Sequence, residues 1–501
     1  MGPGEVGALV GELGRAAGVV LPDVCVLGSD LVFASVFRVG VLAGASVGAF
    51  TAAVAALWGR RTGLRPRVSV DVRHAAVAFR SEGYFRINGE ALSLWASLSG
   101  DYSTADGWVR LHCNFDHHRD AALRALGAGR ESREGLARVC AGRTALEVEE
   151  AVTRGGGCAA AMRTREEWRD HPQAVAVAAG PLVSLGRLGR RSQSGVARGV
   201  HGVPRFAGDA QMRGGEPGFA RGSWPLEEIG EPRYGRDPGS MVEVGKVGSG
   251  GDGRPLAGVR VLDLTRVIAG PVAGRVLAAY GANVLRVGAE DLPEVPGLVV
   301  ETAFGKRSCH IDLRVESEKL WELVRGADVI LRGYRPGALE GFGFAADELA
   351  RVRPGIVVVD ISAYGVKGPW AGRRGFDSLV QMVSGIAHEG GDGSRPGPLP
   401  CQALDHATGY LAAFAAVAGL LRRADEGGSW HAELSLARTA WWLDELGRGE
   451  PGAEPYADDL LDTMGSVFGE LTFVRPPGSI EGAEPYWASP PPRRGEHAPA
   501  W

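Results

Sequence analysis

The chain has 501 residues, 45% of them hydrophobic and 23% charged, which is enough to bury more than one core and predicts two or three domains. The formal net charge of -4 provides no general basic surface and argues against nucleic acid as a main partner. The six cysteines have no C-x-x-C spacing, and MGPGEVGALVGELGR lacks the basic start and apolar run of a secretory signal. These features exclude a disulfide framework and favour reduced thiols in a cytoplasmic protein.

Residues 1–30 carry no assignable pattern, and residues 31–83 begin with a long apolar segment. Residues 39–58, VGVLAGASVGAFTAAVAALW, are uncharged over about the length of a membrane span. The segment is rich in Gly and Ala and has a counterpart later in the chain. We therefore predict a buried helix rather than a membrane-spanning one.

That counterpart indicates an internal duplication. Residues 48–79 can be laid on residues 409–443, and both stretches predict an apolar helix, an Arg pair, a Gly-containing turn, an alternating strand and an Ala-rich helix. Residues 31–83 are interpreted as a truncated first copy of a unit that is more complete in residues 255–445. The first copy has Gly44 at the position of Asp405, which predicts that any chemistry of Asp405 is absent there.

Residues 84–185 mix strand-like and helical stretches and predict a compact, smaller α+β domain, with ADG as a turn between two strands. The side chains of His112, Cys113, His117 and His118 resemble metal ligands by type. Their spacing matches no standard zinc pattern, so we expect no metal and interpret them as polar surface and helix-start residues. Residues 186–254 are dominated by Gly, Arg, Pro and Ser and predict a solvated linker.

Residues 255–445 alternate regularly between strand and helix patterns. GVRVLDLT predicts a strand, GPVAGRVLAAYG a helix with an early proline, and NVLRVG the next strand. This alternation predicts the fold class α/β, with a Rossmann-like doubly wound parallel sheet that binds ligands at the carboxyl ends of its strands. GPVAG is not the dinucleotide motif G-x-G-x-x-G. Residues 446–501 form a Pro-rich C-terminal tail.

The stretch PCQALDHATGYLAAFAAVAGLL, residues 400–421, places Asp405 at the mouth of a long apolar helix. A helix beginning just after Asp405 would direct its unpaired N–H groups and the positive end of its dipole at the carboxylate and keep it ionised. On this pattern alone a structural N-cap is the better account. A held, ionised carboxylate is also a potential nucleophile.

Several motifs together resemble the large domain of the family III CoA transferases, the CaiB/BaiF group. In chain order they are PLAGVRVLDLTRVIAGPVAGRVLAAYGANVLRV, FGKRSCHIDL, YRPGALEGFGF, AYGVKGPWAGRRGFDSLVQMVSG and LDHATGYLAAFAAVAGLL. Residues 84–185 resemble the small domain of that family, which ordinarily follows the large domain, and the tail resembles its Pro-rich end. The resemblance implies a transferase that moves CoA between carboxylic acids, with acyl-CoA and acids as substrates and no permanently bound cofactor.

By this resemblance Asp405 is the catalytic aspartate, which forms mixed anhydrides and an aspartyl-CoA thioester. The resemblance also assigns CoA contacts: backbone contacts to adenine, basic side chains near the phosphates of a K-R-S motif, and a loop before P-G. These residues are Val267 and Ala269, Lys306 and Arg307, and Tyr334 and Arg335, respectively. Ile268, Ala289 and Gly341 depart from the formyl-CoA member of the family and argue against formyl or oxalyl substrates.

Two alternatives remain open at this point. The racemases of the family have a G-H-D motif, which here reads Gly375, Phe376, Asp377; a phenyl ring cannot carry a proton, and His406 is interpreted as a surface or second-shell residue. A CoA-binding or scaffolding protein without turnover is the other alternative. The loop EGGDG, residues 389–393, is either a cover and oxyanion donor or a plain flexible loop.

Members of the family form interlocked ring dimers, which implies a homodimer here. A chain that carries a partial second copy is expected to build part of that interface internally. We expect no membrane partner.

Overall fold

The computed structural model describes residues 3–128, 132–189, 253–392 and 394–501. Most of the predicted linker, residues 190–252, lies outside the described residues. Within them, residues 3–188 and 253–501 form one compact unit.

The truncated first copy is helical around a small sheet. Its elements are helix α1 (Pro3–Ala17), strand β1 (Val24–Leu27), α2 (Val39–Thr62), β2 (Val68–Asp71), α3 (Val72–Ala78) and α4 (Ser81–Tyr84).

The next part of the chain mixes short strands and helices, as predicted. Its elements are β3 (Arg86–Ile87), β4 (Glu90–Ala91), β5 (Gly100–Ser103), β6 (Trp108–Leu111), α5 (Asp116–Leu126), α6 (Arg133–Ala141), α7 (Ala145–Arg154), β7 (Ala159–Ala161), α8 (Arg165–Asp170), α9 (Pro172–Ala178) and β8 (Ser184–Arg187). Strands β5, β6 and β7 form an antiparallel sheet, and the ADG sequence is the turn between β5 and β6.

The second copy alternates strands and helices. Its elements are β9 (Arg260–Leu264), α10 (Ala269–Ala279), β10 (Asn283–Gly288), α11 (Pro296–Glu301), β11 (Lys306–His310), α12 (Ser317–Gly326), β12 (Val329–Arg332), α13 (Ala346–Val352), β13 (Val357–Ser362), α14 (Asp377–Val383), α15 (Ile386–Glu389), α16 (Ala403–Glu426), β14 (Trp430–Ser435) and α17 (Leu436–Glu445).

A seven-stranded sheet in the order β11-β10-β9-β12-β13-β14-β8 organises this part. The first six strands are parallel, with Leu262 opposite Ile330 and Ile330 opposite Val358, and β8 pairs antiparallel to β14. The predicted α/β fold with a doubly wound parallel sheet is thereby confirmed. The predicted boundary at residue 185 is wrong, because it falls inside β8, which belongs to the large sheet.

The C-terminal tail contains β15 (Leu461–Ser466), β16 (Gly469–Val474) and β17 (Ser479–Ile480). Strand β16 pairs with β3, and β17 pairs with β2. The indole N–H of Trp487 donates to the carbonyl of Arg275, 3.0 Å away. The tail is therefore built into the fold and joins the first copy to the second.

The predicted duplication is visible as two equivalent helix–strand–helix runs, α2–β2–α3 and α16–β14–α17. Helices α2 and α16 are each long and apolar enough for a membrane span, but 94% and 100% of their most apolar windows are buried inside the protein. They pack against each other, and α10 packs on α16. The prediction of a buried helix at residues 39–58 is confirmed.

Close packing of α16 on α10 depends on Gly409. A Cβ at this position would lie 2.6 Å from the carbonyl oxygen of Ala269 and 3.0 Å from Val272. The missing side chain lets the two helices approach until backbone meets backbone. The loop before α10 and the first turn of α16 therefore lie side by side.

Candidate active site

Asp405 lies in the first turn of α16 and not before it. The helix begins at Ala403, and Gln402 occupies the N-cap position without a side-chain cap. The prediction that the helix starts just after Asp405 is therefore wrong, and Asp405 is not its cap. Its carboxyl group is free of that structural task.

The capping task falls to Asp377, the first residue of α14. The N–H of Asp405 donates to Asp377 Oδ2 at 2.9 Å, and Gln381 Nε2 donates to Asp377 Oδ1. Gln381 Oε1 in turn accepts the N–H of Leu399 at 2.7 Å. This chain of bonds fixes the start of α16 on α14. Sequence reasoning missed the role of Asp377, although an acidic residue with Gln four positions later at a helix start was a signal for it.

The two carboxyl groups share one buried environment. Asp405 is 7% exposed and Asp377 is fully buried. Burial raises the pKa of Asp405 well above its ordinary value, and the nearby carboxyls of Asp377 and Glu82 raise it further. Burial also raises the pKa of Asp377 to about 6. The expectation that the helix dipole keeps Asp405 ionised is wrong, because desolvation and like charges outweigh it; the two carboxyls titrate as a pair.

His406 points away from Asp405 and into the protein. Its Nε2 lies 2.9 Å from Glu82 Oε2, and its ring stacks on Phe79 with centroids 5.6 Å apart. Burial would raise the pKa of Glu82, but the ring of His406 brings it below its ordinary value. The interpretation of His406 as a surface residue is wrong, since it is fully buried; it ties the second copy to α4 of the first.

Asp405 opens onto a cavity of about 250 Å³ between the two halves of the chain. The wall is mainly apolar and aromatic, with residues from the first half that include Leu94, Trp95 and Phe115 and from the second half that include Ile268, Leu298 and Phe376. Polar residues of the wall include Arg80, Glu82, His112, Asp377 and Ser378. A mostly apolar concavity with a few convergent polar groups is the usual form of a small-molecule site.

Val267 lines this same cavity, and its predicted contact with the adenine of CoA stays a prediction. It lies between β9 and α10 with a φ of 73°, a conformation that a β-branched residue rarely adopts and that costs free energy. Ala269, the next predicted residue, is buried at the start of α10. The structure thus brings the predicted loop before α10 next to Asp405.

Lys306 does not fit its predicted place near phosphates. Its side chain is fully buried, with Nζ 2.7 Å from Asp263 Oδ2 and 2.7 Å from the carbonyl of Pro271. Burial lowers its pKa. The prediction is wrong for Lys306, because alternation along β11 turns it under α10, where its ammonium bonds Asp263 and Pro271.

The remaining predicted CoA residues lie elsewhere. Arg307 is partly buried on the edge strand β11. Tyr334 and Arg335 follow β12 and line a second cavity of about 260 Å³ at the carboxyl ends of β12, β13 and β14. Burial raises the pKa of Tyr334. The structure therefore places only Val267 of the predicted side chains on the Asp405 cavity, and the assignment of the others to CoA stays a prediction.

The loop of residues 389–393 is not part of the cavity wall in its described residues, 389–392. Glu389 pairs with Arg448 through a 2.7 Å hydrogen bond, and Gly390 and Gly391 pack on the backbone of residues 395–397. Residues 389–392 fold back on residues 395–397 and do not line the cavity of Asp405.

The residues that resembled metal ligands form no group of that kind in the described part of the chain. His112 and His118 are each 4% exposed, and Cys113 is buried in the small domain core. The interpretation as surface residues is wrong for His112, Cys113 and His118. His117 is exposed, as predicted, and lies with His118 at the start of α5. His112 lies in the wall of the Asp405 cavity.

The position of the first copy that matches Asp405 is Gly44, which has no reactive side chain. Gly44 is buried in α2, and a Cβ there would lie 3.3 Å from Val72 and 3.4 Å from Val6. These apolar side chains occupy the place that the cavity takes beside α16.

Comparison with known proteins finds similarity to a family in the second copy. Residues 256–446 match the family model described as CoA-transferase family III. The chain is 38% identical to an acetyl-coenzyme A transferase, nodX, of Hypoxylon pulicicidum over 38% of this chain and 34% of that protein. It is 31% identical to an acyl-CoA transferase of Gibberella moniliformis over 67% of this chain and 54% of that protein.

A solved structure is also similar. The crystal structure of hypothetical protein Rv3272 from Mycobacterium tuberculosis is 32% identical over 38% of this chain and 57% of that chain, with a TM-score of 0.36. The chain spans between about a third and a little over half the length of these relatives.

Proposed function

We propose that this chain, whose residues 256–446 belong to CoA-transferase family III, moves CoA between carboxylic acids through a covalent thioester at Asp405. The observation that carries the proposal is the position of Asp405. Its carboxyl is freed from capping by Asp377 and opens on a mostly apolar cavity beside the strained Val267 loop. A carboxyl placed in this way serves covalent catalysis.

The proposed reaction needs only carboxylates and one thiolate. Asp405 Oδ attacks the carbonyl carbon of the donor acyl-CoA. The C–S bond breaks, CoA leaves as a thiolate, and the donor acyl group and Asp405 are left joined as a mixed anhydride. The thiolate attacks the Asp405 carbonyl carbon and expels the donor acid as carboxylate, which leaves an aspartyl-CoA thioester. The acceptor carboxylate repeats these steps in reverse order and regenerates the Asp405 carboxylate. Electrons and charge balance without a net proton.

The electrostatics of the site decide how the nucleophile works. Because burial and neighbouring carboxyls raise the pKa of Asp405, fewer molecules carry the carboxylate at neutral pH. The carboxylate that does form is poorly solvated and is a stronger nucleophile than one in water. Activity should therefore rise with pH as Asp405 loses its proton.

Racemisation is the second candidate function, because the imidazole of His112 lines the cavity of Asp405. The ring of His112 stacks on Phe376 with centroids 3.6 Å apart and faces the cavity of Asp405. Burial lowers the pKa of His112 to about 3, which makes it a weak base. This favours CoA transfer over two-base racemisation.

Exchange of a labelled acid into acyl-CoA tests the proposal. Wild-type protein is mixed with acetyl-, butyryl-, octanoyl-, benzoyl- or succinyl-CoA and the matching ¹³C-labelled acid, and label in the thioester is followed by mass spectrometry. We expect exchange with at least one pair and a loss of at least about 10³-fold in Asp405→Asn. Exchange by Asp405→Asn within tenfold of wild type would contradict the role of Asp405. Bound CoA with no exchange for any pair would favour a binding protein without turnover.

A further inference from the structure

The donors that surround Asp405 are largely committed to the fold. In the first turn of α16, the N–H of Ala403 donates to the carbonyl of Cys401 at 2.8 Å, and that of His406 to Gln402 at 3.1 Å. The N–H of Asp405 is bound by Asp377. These groups are not available to hold the oxygen of a substrate.

Asn114, another polar residue of the cavity wall, is committed as well. Its Oδ1 accepts from Ser99 Oγ at 2.6 Å and from the N–H of Ala96 at 3.0 Å. Its Nδ2 donates to the carbonyl of Leu94 at 2.9 Å. These bonds fix Asn114 in the wall and use one of its two amide N–H groups, so at most one donor is left for a ligand.

His112 is different, because no hydrogen bond reaches either ring nitrogen from any residue that the structure describes. Its side chain is 4% exposed, and its Nδ1 is buried without a partner. Phe376 covers one ring face at 3.6 Å with planes 3° apart, and the Trp95 ring lies edge-on at 6.1 Å. A buried polar side chain without a partner costs free energy, and a ligand that bonded this ring would recover it.

The state of the ring follows from its surroundings. Burial, together with Arg110, lowers the pKa of His112 to about 3, so the ring is neutral and has one N–H. A proton on Nδ1 would be a buried donor without an acceptor, which proteins avoid. A proton on Nε2 also has no acceptor among the described residues, and an oxygen of a cavity occupant would supply one.

Ser378 provides a second group of the same kind. Its hydroxyl is buried and has no partner in the described part of the chain, and the residue lines the cavity next to Asp377. Two unsatisfied polar side chains, one from each half of the chain, thus lie on one mostly apolar wall.

We propose that His112, assisted by Ser378, donates a hydrogen bond to the carbonyl oxygen of the acyl group while Asp405 attacks it. This role rests on the proposed function. When Asp405 adds to the thioester carbonyl, the carbonyl oxygen gains negative charge and then returns it as the C–S bond breaks. A fixed donor in a dry cavity stabilises that charge more than the neutral carbonyl before attack.

The test is the single-turnover rate of aspartyl-CoA formation, followed by intact-protein mass in His112→Phe. Phenylalanine keeps a flat ring on Phe376 and removes both nitrogens. We expect the rate constant to fall by about 10²- to 10³-fold, the loss typical of one oxyanion donor. The acyl-CoA concentration at half-maximal rate should change less than about threefold, and the thermal midpoint should not fall. His112→Gln, which restores an N–H, should recover part of the rate.

His118→Phe is the matched control. His118 is also 4% exposed, has a buried Nδ1 without a partner, and has its pKa lowered to about 3 by burial, but it does not line the cavity. It should form the adduct within threefold of the wild-type rate.

An equal loss of rate in His118→Phe and His112→Phe would overturn the role of His112, since the effect would then be structural. A wild-type rate in His112→Phe would overturn it as well and leave the proposed function standing. No adduct in the wild type with any of the five thioesters would overturn both. If His112→Phe does not fold, His112→Gln against His112→Leu decides by the same criterion.

Discussion

Helices α2 and α16 are two versions of one element that differ at their N-termini. Near the start of α2, Asp30 accepts the N–H of Val41 at 2.9 Å, and Arg38 bonds Asp30 at 3.0 Å and Glu5 at 2.6 Å. Those two carboxylates raise the pKa of Arg38 and are themselves neutralised by it. At α16, Asp377 takes the capping place, and within the described part of the chain neither Asp377 nor Asp405 is hydrogen-bonded or ion-paired to a cation.

The difference separates a structural end from a reactive one. At the α2 end, the N–H of Val41 has an acceptor in Asp30, and the carboxylate of Asp30 has a cation in Arg38. The α16 end holds two buried carboxyls whose ionised forms are unfavourable, and an arrangement of that kind is typical of catalytic sites. The following experiments test this difference between the N-terminal ends of α2 and α16.

The largest expected effect comes from placing the reactive residue in the first copy, Gly44→Asp. The carboxyl would be buried against Val6 and Val72 without a donor. We expect a loss of about 3–5 kcal/mol in the free energy of unfolding and no second thioester site. Urea unfolding measures the first and intact mass the second. Gly44→Ala, with contacts near 3.3 Å, should cost less than about 1 kcal/mol, and equal costs for both variants would contradict the account.

The equivalent glycines of the two helices should respond unequally to alanine. In Gly409→Ala the new methyl meets the Ala269 carbonyl at 2.6 Å, whereas in Gly48→Ala it meets a methyl of Val10 at 3.0 Å. A backbone carbonyl cannot move aside as a side chain can. Gly409→Ala should lose about 1–3 kcal/mol by urea unfolding, more than Gly48→Ala, together with CoA exchange activity. A larger loss in Gly48→Ala would be inconsistent with this packing.

Replacement of the capping carboxyl, Asp377→Asn, should shift the pH dependence of exchange. The amide oxygen still accepts the N–H of Asp405, but the negative charge that raises the pKa of Asp405 is gone. The pKa of Asp405 then falls, so the acidic limb of the pH–rate profile should move to lower pH. Initial exchange rates from pH 5 to 9 measure the shift, and a move to higher pH would contradict the coupling.

The same variant makes a prediction about stability. Folding raises the pKa of Asp377 to about 6. The free-energy cost of burying its carboxylate is therefore absent below the pKa of the unfolded chain, near 4, and complete above pH 6. The shift of about two units corresponds to at most about 3 kcal/mol. In Asp377→Asn the amide NH₂ also faces Gln381 Nε2, which costs stability at every pH. The stability of Asp377→Asn relative to wild type should therefore rise from pH 4 to pH 8. Thermal midpoints at the two pH values decide this.

The smallest expected effect concerns the acyl group. Arg80 is the only lysine or arginine among the described residues of the cavity wall, and it is paired with Glu454. A second carboxylate on the substrate would therefore enter an apolar wall without a free cation. We expect butyryl- or octanoyl-CoA to exceed succinyl-CoA by about tenfold or more in kcat/KM. A preference for succinyl-CoA would show that another cation reaches the cavity.

The sequence predicted the features that repeat or alternate. The parallel sheet followed from strand–helix alternation, and the duplication followed from the matching of residues 48–79 with 409–443. Asp405 was found by its motif and place at a helix start. Such signals are local and periodic, so they survive without a structure.

The contacts that the sequence did not predict join segments that are distant in the chain. Glu82 and His406 are 324 positions apart and Asp377 and Asp405 are 28 apart, and no local pattern links either pair. Lys306 was predicted near the phosphates of CoA, but its direction in β11 turns it under α10 toward Asp263. His112 was set aside with the other histidines, because its stacking on Phe376 depends on how the halves pack.

The most direct measurement is intact-protein mass after mixing wild type and Asp405→Asn with the five acyl-CoA thioesters. Asparagine is close to isosteric with aspartate, so the fold should survive. The account predicts a CoA-sized adduct on wild type that hydroxylamine removes and that is absent from Asp405→Asn. An adduct of the same size and sensitivity on Asp405→Asn would contradict the claim that Asp405 is the nucleophile.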